Sequence, residues 1–256
     1  MSIAVDDRGF TLGHGLFETV LAVDGLLVQW KAHLDRLARG CPALGLPQPD
    51  PDGCRDAALA ALAAAGRPQR AAVRLNWSAG GGGRGLEAPA RPDPVLTATA
   101  AAISPPADSV SLATAHVRRN EHSPASRLKT LAYLDNVLAR AQARAAGADE
   151  ALMLNTAGEI ACAAAANVFW IADGAILTPA LECGVLDGVV RAEVLRACAA
   201  LELPHEEVRA GPASLRGAPM FVTNSLLGVC SVARLDGESL PPSSLVVSLR
   251  AQASAI

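Results

Sequence analysis

The stretch "ALMLNTAGEIACAAAANVFWIADGAILTP", residues 151–179, narrows what this chain can fold into more than any other part of it. It holds four short apolar runs, "ALMLN", "EIAC", "NVFWIA" and "AILTP", with the turn signals "NTAG" and "DG" among them. Runs so short and closely spaced leave no room for helical periodicity and read as strands. "VSLATAHV" before them and "MFVTN" after them add two more strands. Two helices are predicted around this set. "TLAYLDNVLARAQARAAG" carries Leu131, Leu134, Val137 and Leu138 on one stripe and ends at Gly147, and "GVVRAEVLRACAAL" starts near Gly188. Strand runs joined by short turns, with few helices, indicate an α+β fold rather than a doubly wound sheet.

The first hundred residues have a different texture. "LLVQW" reads as a strand and "KAHLDRLARGC" as an amphipathic helix with Leu34 and Leu37 on one face. "DPDGCRDAALAALAAAG" is a second helix, stopped at Gly66, and "AAVRLNW" and "PVLTATAAAI" are strands joined by a glycine-rich loop. "SPPAD", residues 104–108, reads as a linker. The expected division is a small N-terminal α/β domain over 1–104 and a larger, β-rich C-terminal domain over 105–256.

With 51% hydrophobic residues the chain has enough apolar surface for such cores. A net charge of -3 and 18% charged residues offer nothing to a polyanion, so no nucleic-acid partner is expected. The acidic N-terminus "MSIAVDDRGFTLGHG" has no apolar run, and no segment suits a membrane. The six cysteines at 41, 54, 162, 183, 198 and 230 show no CxxC spacing. They read as reduced, buried thiols of a cytoplasmic protein, with no metal site.

Of 22 basic residues only Lys31 and Lys129 are lysines. Arginine stays charged, whereas a lysine amine can lose its proton and attack a carbonyl. Lys31 has nothing reactive near it in sequence. Lys129 follows the polar loop "RRNEHSPAS" and precedes a helix. Further on, "GVLDGVVRAEVL" offers the free N–H groups of a helix start at Gly188, and "TNSLLG" supplies Thr223, Asn224 and Ser225 at a strand end. "SAGGGGRG" lacks the order of a phosphate loop and reads as a flexible connection. A nucleophilic lysine combined with elements that grip phosphate suggests pyridoxal 5′-phosphate.

The order of these motifs resembles the fold type IV pyridoxal-phosphate enzymes, the class IV aminotransferase family. That family includes branched-chain and D-amino-acid aminotransferases and 4-amino-4-deoxychorismate lyase. "DDRGFTLGHGLFET" is similar to the family's N-terminal signature, with His14 where Asp is usual, and the resemblance places Phe17 on the substrate side. "HLDRL" points to Arg36 as a phosphate grip, and "LKTLAYLDNVLA" resembles the Schiff-base segment, with Lys129 as the cofactor lysine and Tyr133 near the cofactor's phenolic oxygen. "GVLDGVVR" implies phosphate contacts from Gly188 and the amides of Val189 and Val190, and Ser225 matches another. Two domains with the cofactor between them, and a homodimer, are what this resemblance implies.

One position departs. In "NTAGEIACAAAANVFW" the family's acidic residue, which faces the pyridine nitrogen, falls on Cys162, counted from Gly158 and back from Asn167. Glu159 lies three residues earlier and, on an extended strand, points to the other face. Arg118, Arg119 and His122 are candidates for binding a substrate carboxylate, together with Asn224. The arginine often found before the glycine-rich loop is Ala79 here, and Arg84 is a substitute. The resemblance leaves amino transfer narrowly ahead of a pyruvate-releasing lyase, with a cofactor-binding chain lacking turnover as a third reading. Cys162 pulls toward the lyase.

Overall fold

The computed structural model describes residues 3–254 and falls into two compact units. One runs up to Pro105 and takes in Leu128–Ala132, and the other comprises Pro106–Arg127 and the chain from Tyr133 onward. The change from one to the other at Pro105 and Pro106 lies inside the "SPPAD" segment.

The first unit contains α1 (Arg8–Leu12), β1 (Gly15–Val23), β2 (Leu26–Leu27), α2 (Trp30–Gly40), α3 (Pro51–Ala64), β3 (Arg70–Ser78) and β4 (Val95–Ala102). Its sheet has the order β2-β1-β3-β4 and every pairing is antiparallel. The alternation of a half-buried sheet is clean in β3, where Ala71, Val73 and Leu75 are buried with Val20, Ala22, Ala58 and Leu62. α3 starts where Asp50 accepts from the N–H groups of Asp52 and Gly53, with Pro51 in its first turn. "LLVQW" is a strand only at Leu26–Leu27, because Gln29 turns left-handed (φ 52°) and Trp30 already begins α2.

β2 reaches only Ala22 and Val23 of β1, so the first half of β1 has an open edge. Leu128–Ala132 fills it. The Phe17 N–H donates to the Lys129 carbonyl at 2.8 Å, the Leu131 N–H donates to the Gly15 carbonyl at 2.9 Å, and Leu16 bridges Thr130. The expected second domain was to carry Lys129. By packing, its five-residue segment belongs with the first unit, because a strand edge there needs hydrogen-bond partners.

The second unit contains β5 (Ser109–Thr114), α4 (Leu134–Ala145), β6 (Glu150–Leu154), β7 (Ile160–Ala163), β8 (Asn167–Ala172) and β9 (Ala175–Pro179). α5 (Val189–Ala200), β10 (His205–Val208), β11 (Met220–Asn224), β12 (Gly228–Leu235), β13 (Glu238–Ser239) and α6 (Ser244–Ser254) complete it. Its sheet runs β10-β9-β8-β11-β12-β5-β6-β7, with β13 on β12. One face buries Leu112, Leu152, Trp170, Val222 and Val232, and the other packs Phe169 on Phe221 with ring centroids 4.7 Å apart, under Val194 and Leu249. All six cysteines are buried and unpaired. No helix among the described residues is long and apolar enough to cross a membrane.

α4 differs from its sequence reading twice. It begins at Leu134 rather than Thr130, since Leu128–Ala132 is committed to the edge of β1. Its leucine-rich stripe faces outward: Leu134 is 67% exposed and Val137 61%, while the small residues Ala139 and Ala143 face the core.

The turn after β3 depends on Gly80, at φ 72°, where an added Cβ would stand 1.9 Å from the Asp93 carbonyl oxygen. Gly80→Ala is expected to cost about 2 kcal/mol or more, from backbone strain plus the clash. Urea unfolding of the two proteins side by side measures it.

Candidate active site

In the first unit, chemistry gathers around β1. Successive residues of a strand point to opposite faces, so Phe17 and Glu18 serve different surroundings. Glu18 shares its face with Leu16, which packs on Leu37 of α2, and meets the same helix. Arg36 grips its carboxylate with two donors, Nε to Oε1 at 2.7 Å and an Nη to Oε2 at 2.6 Å. The His33 Nδ1–H donates to Oε2 at 2.7 Å, and both Glu18 and His33 are fully buried. Burial opposes ionisation of Glu18, but the Arg36 charge and the hydrogen bonds from Arg36 and His33 outweigh it. They bring the carboxyl down from 4.5 to about 2. Arg36, expected as a phosphate grip, therefore spends two of its donors inside the protein.

On the other face, Phe17 is buried and two cations lie over its ring. The Lys129 Nζ is 4.1 Å from the centroid and the Arg74 guanidinium carbon 3.8 Å. Arg74 is steadied by its Nε donating to Asn76 Oδ1 at 2.8 Å. Burial around the Lys129 amine, then the Arg36 charge, push its pKa down from 10.5 to about 7; Glu18 resists and Arg74 adds to the fall. An amine with this pKa is about half unprotonated at neutral pH, which leaves a large share in the form that captures an aldehyde. Lys31, the other lysine, is exposed and paired with Asp35 at 2.7 Å. Sequence reasoning named Lys129, Arg36 and Phe17 but missed Arg74. Its only signal was a charged residue in the middle of an apolar strand.

The glycine-rich loop beside this strand is gathered by a side chain that the sequence reading also missed. Arg8 is buried and donates to the carbonyls of Gly82, Gly85, Leu86 and Glu87 at 3.1–3.4 Å. Its Nε donates to His14 Nδ1 at 3.3 Å, while the His14 Nε2–H donates to the Leu44 carbonyl at 2.9 Å. A histidine fits here because one ring nitrogen must accept and the other donate. Arg84 rides on this loop with its side chain exposed.

In the second unit, the residues expected to hold a phosphate converge on the start of α5. Gly188 caps it, no side chain occupies the cap, and no acidic residue lies in its first turn, which opens with the buried Val189 and Val190. A Cβ at Gly188 would stand 2.0 Å from Asn167 Oδ1, and Asn167 in turn donates to the Leu186 carbonyl at 2.9 Å. β11 pairs Thr223 with Asn167, and the buried Thr223 hydroxyl has no hydrogen-bond partner among the described residues. Ser225 follows, half-buried, just beyond the strand. A helix start with bare N–H groups and a spare buried hydroxyl on a neighbouring strand suit a phosphate monoester. Asn224 is used locally: its Oδ1 accepts from Leu226 and Leu227, and its Nδ2 donates to the Ala165 carbonyl.

Cys162 is buried in β7 opposite Met153. Burial pushes its thiol up from 9.0, the Arg119 charge pulls the other way, and Glu150 adds to the rise, so the thiol stays neutral. Glu159 is occupied elsewhere, accepting from Arg209 at 2.9 Å and Asn155 at 2.8 Å. Glu150, unnoticed in the sequence, is a buried carboxylate whose own pKa burial raises, and it lies 3.5 Å from Arg140.

The basic loop divides. Arg119 is buried, with its guanidinium donating to Gly184 O, Asn136 Oδ1 and Ser126 O, and so fastens the loop. Arg118 and His122 are exposed, with Arg118 donating to the Ala115 carbonyl and His122 3.8 Å from Glu121. Tyr133 is half-buried at the head of α4.

The chain is similar over most of its length to known proteins. The chain is 28% identical over 241 residues to the aminodeoxychorismate lyase of Vibrio harveyi, covering 90% of this chain and 86% of that one. It is 25% identical over 244 residues to the D-alanine aminotransferase of Bacillus licheniformis, covering 93% and 85%. Its fold matches the branched-chain aminotransferase of Thermoproteus uzoniensis with a TM-score of 0.91 at 22% identity, over 99% of this chain and 88% of that one. The model of the amino-transferase class IV family matches residues 15–235, and the chain belongs to that family of pyridoxal-phosphate enzymes.

Proposed function

We propose that this chain binds pyridoxal 5′-phosphate through Lys129 and acts as an aminodeoxychorismate lyase, releasing pyruvate from 4-amino-4-deoxychorismate and leaving 4-aminobenzoate. The observation that carries the lyase ahead of amino transfer is the buried, neutral thiol of Cys162. It stands where the family resemblance puts a carboxylate facing the pyridine nitrogen. A carboxylate holds that nitrogen protonated, whereas a thiol is a weak hydrogen-bond partner. Bound pyridoxal phosphate supplies an electron sink for the charge left when the amine-bearing carbon loses its proton. Amino transfer leans on that sink until a proton is returned to the cofactor. The elimination leans on it less. The C–H electron pair becomes a ring double bond, the C–O bond to the enolpyruvyl group breaks, and the ring becomes aromatic.

In this reading the Lys129 amine removes the proton and gives it back to the departing enolpyruvate, which leaves as pyruvate. The amides of Val189 and Val190 hold the phosphate, with Ser225 adding a hydroxyl. Arg74, seated on Phe17 beside Lys129, takes a substrate carboxylate. Its place over the same ring as Lys129 favours it over Arg119, which fastens its own loop, and over the exposed Arg84, Arg118 and His122. Amino transfer between a branched-chain or D-amino acid and a 2-oxo acid is the second reading, favoured by Tyr133 four residues after the lysine. A homodimer is supported by the outward stripe of Leu134, Val137 and Leu138.

Three measurements test these readings. Purified protein loaded with pyridoxal phosphate should release pyruvate from aminodeoxychorismate, and Lys129→Ala should abolish it. Bleaching of the cofactor band by amino donors without pyruvate release would favour amino transfer, and neither response would mark a chain that binds without turnover. Cys162→Glu should raise amino transfer relative to the parent; an unchanged or lower rate would sink this account of Cys162. Cofactor-free protein should capture the aldehyde with a rate that rises as pH passes through about 7, because deprotonated Lys129 is the attacking form. A rise centred near 10 would contradict the site.

A further inference from the structure

The ring of Phe17 has two charged neighbours, and the sheet explains how both reach it. β1 lies between β3 and the Leu128–Ala132 segment. On one side Phe17 stands opposite Asn76, and on the other its N–H donates to the Lys129 carbonyl at 2.8 Å. Arg74, two residues along from Asn76, shares that residue's face and donates to its Oδ1. The Lys129 amine and the Arg74 guanidinium therefore come to one ring from the two strands that flank it, to within 4.1 and 3.8 Å of its centroid. An aliphatic side chain here would leave two cations meeting across an apolar residue. The face of an aromatic ring carries negative charge and attracts a cation, more strongly where water is scarce. Phe17 is buried.

We propose that Phe17 is a positioning residue for the reactive amine: its ring face stabilises the protonated form of Lys129 beside Arg74, so that the lysine keeps a proton it must later hand on. Burial and the charges of Arg36 on α2 and Arg74 on β3 push that proton off, while Glu18 on β1 resists. The ring adds an attraction that acts on the ammonium form and hardly on the neutral amine, which couples the ring to the proton. The proposal rests on Lys129 being the reactive amine, but it concerns the protein before any cofactor binds.

That makes it testable without turnover. Fluorine withdraws negative charge from a ring face and leaves the ring's shape nearly unchanged. Mono-, di- and trifluorophenylalanine placed at position 17 therefore form a graded series that should fold alike, with everything else around the amine common to all members. With only two lysines, pH-dependent acetylation of cofactor-free protein, read by mass spectrometry, gives one midpoint for Lys129 and one for Lys31 as an internal standard. The Lys129 midpoint should fall step by step along the series, by about half a unit to one unit at trifluorophenylalanine, while Lys31 stays constant. A role in packing alone predicts a flat series, because the rings fill the same space. A Lys129 midpoint that lies well below that of Lys31 in the parent, but stays flat or rises along the series, overturns the role of Phe17 alone. A parent midpoint equal to that of Lys31 overturns the assignment of Lys129 as the reactive amine as well.

Discussion

Everything distinctive about this molecule depends on five residues completing a strand edge. β1 is paired along its whole length on one side but only at its far end on the other, and unpaired backbone groups in a buried setting are costly. Leu128–Ala132 supplies the missing partners and thereby delivers the Lys129 amine to the ring of Phe17. The lysine is held by its own main chain, through hydrogen bonds that no substitution of its side chain removes. A reactive amine needs such fixing, since an amine on a mobile loop would be solvated and protonated.

Electrostatics then acts on a side chain whose main chain is held in the sheet. Desolvation lowers the proton affinity of Lys129, Arg36 and Arg74 lower it further, and Glu18 holds it up. Alternation along β1 sends Phe17 to one face and Glu18 to the other. Neighbouring residues of a single strand thus meet the lysine amine with one side chain and Arg36 of α2 with the next. Cys162 shows the complementary effect of burial: a thiol with no dominant cation beside it remains a thiol.

Much of this was legible in the sequence where the chain follows local rules. The turn signals around "NTAG" and "DG" marked real hairpins, and the Gly188 helix start is where the residues implied. The scarcity of lysine was enough to single out Lys129. What sequence could not give were facts of tertiary partnership. Leu131 continues the helical stripe on paper, yet the open edge of β1 claims it and α4 starts three residues later. Arg119 and Arg118 are adjacent and chemically alike, but one is buried among carbonyls and the other is exposed. Arg8 and Glu150 carried no local signal, and Arg74 only that of a charge inside an apolar strand, because their surroundings come from residues up to 79 positions away.

Arg8 has a consequence for how this surface can change. Its guanidinium collects four carbonyls of the glycine-rich loop, so the loop's path is imposed from outside rather than by its own side chains. Positions such as Arg84 and Leu86 point outward from a track that does not depend on them. A loop built this way can be rewritten side chain by side chain while its backbone stays in place, which separates the alteration of what it recognises from the risk of unfolding what it is attached to.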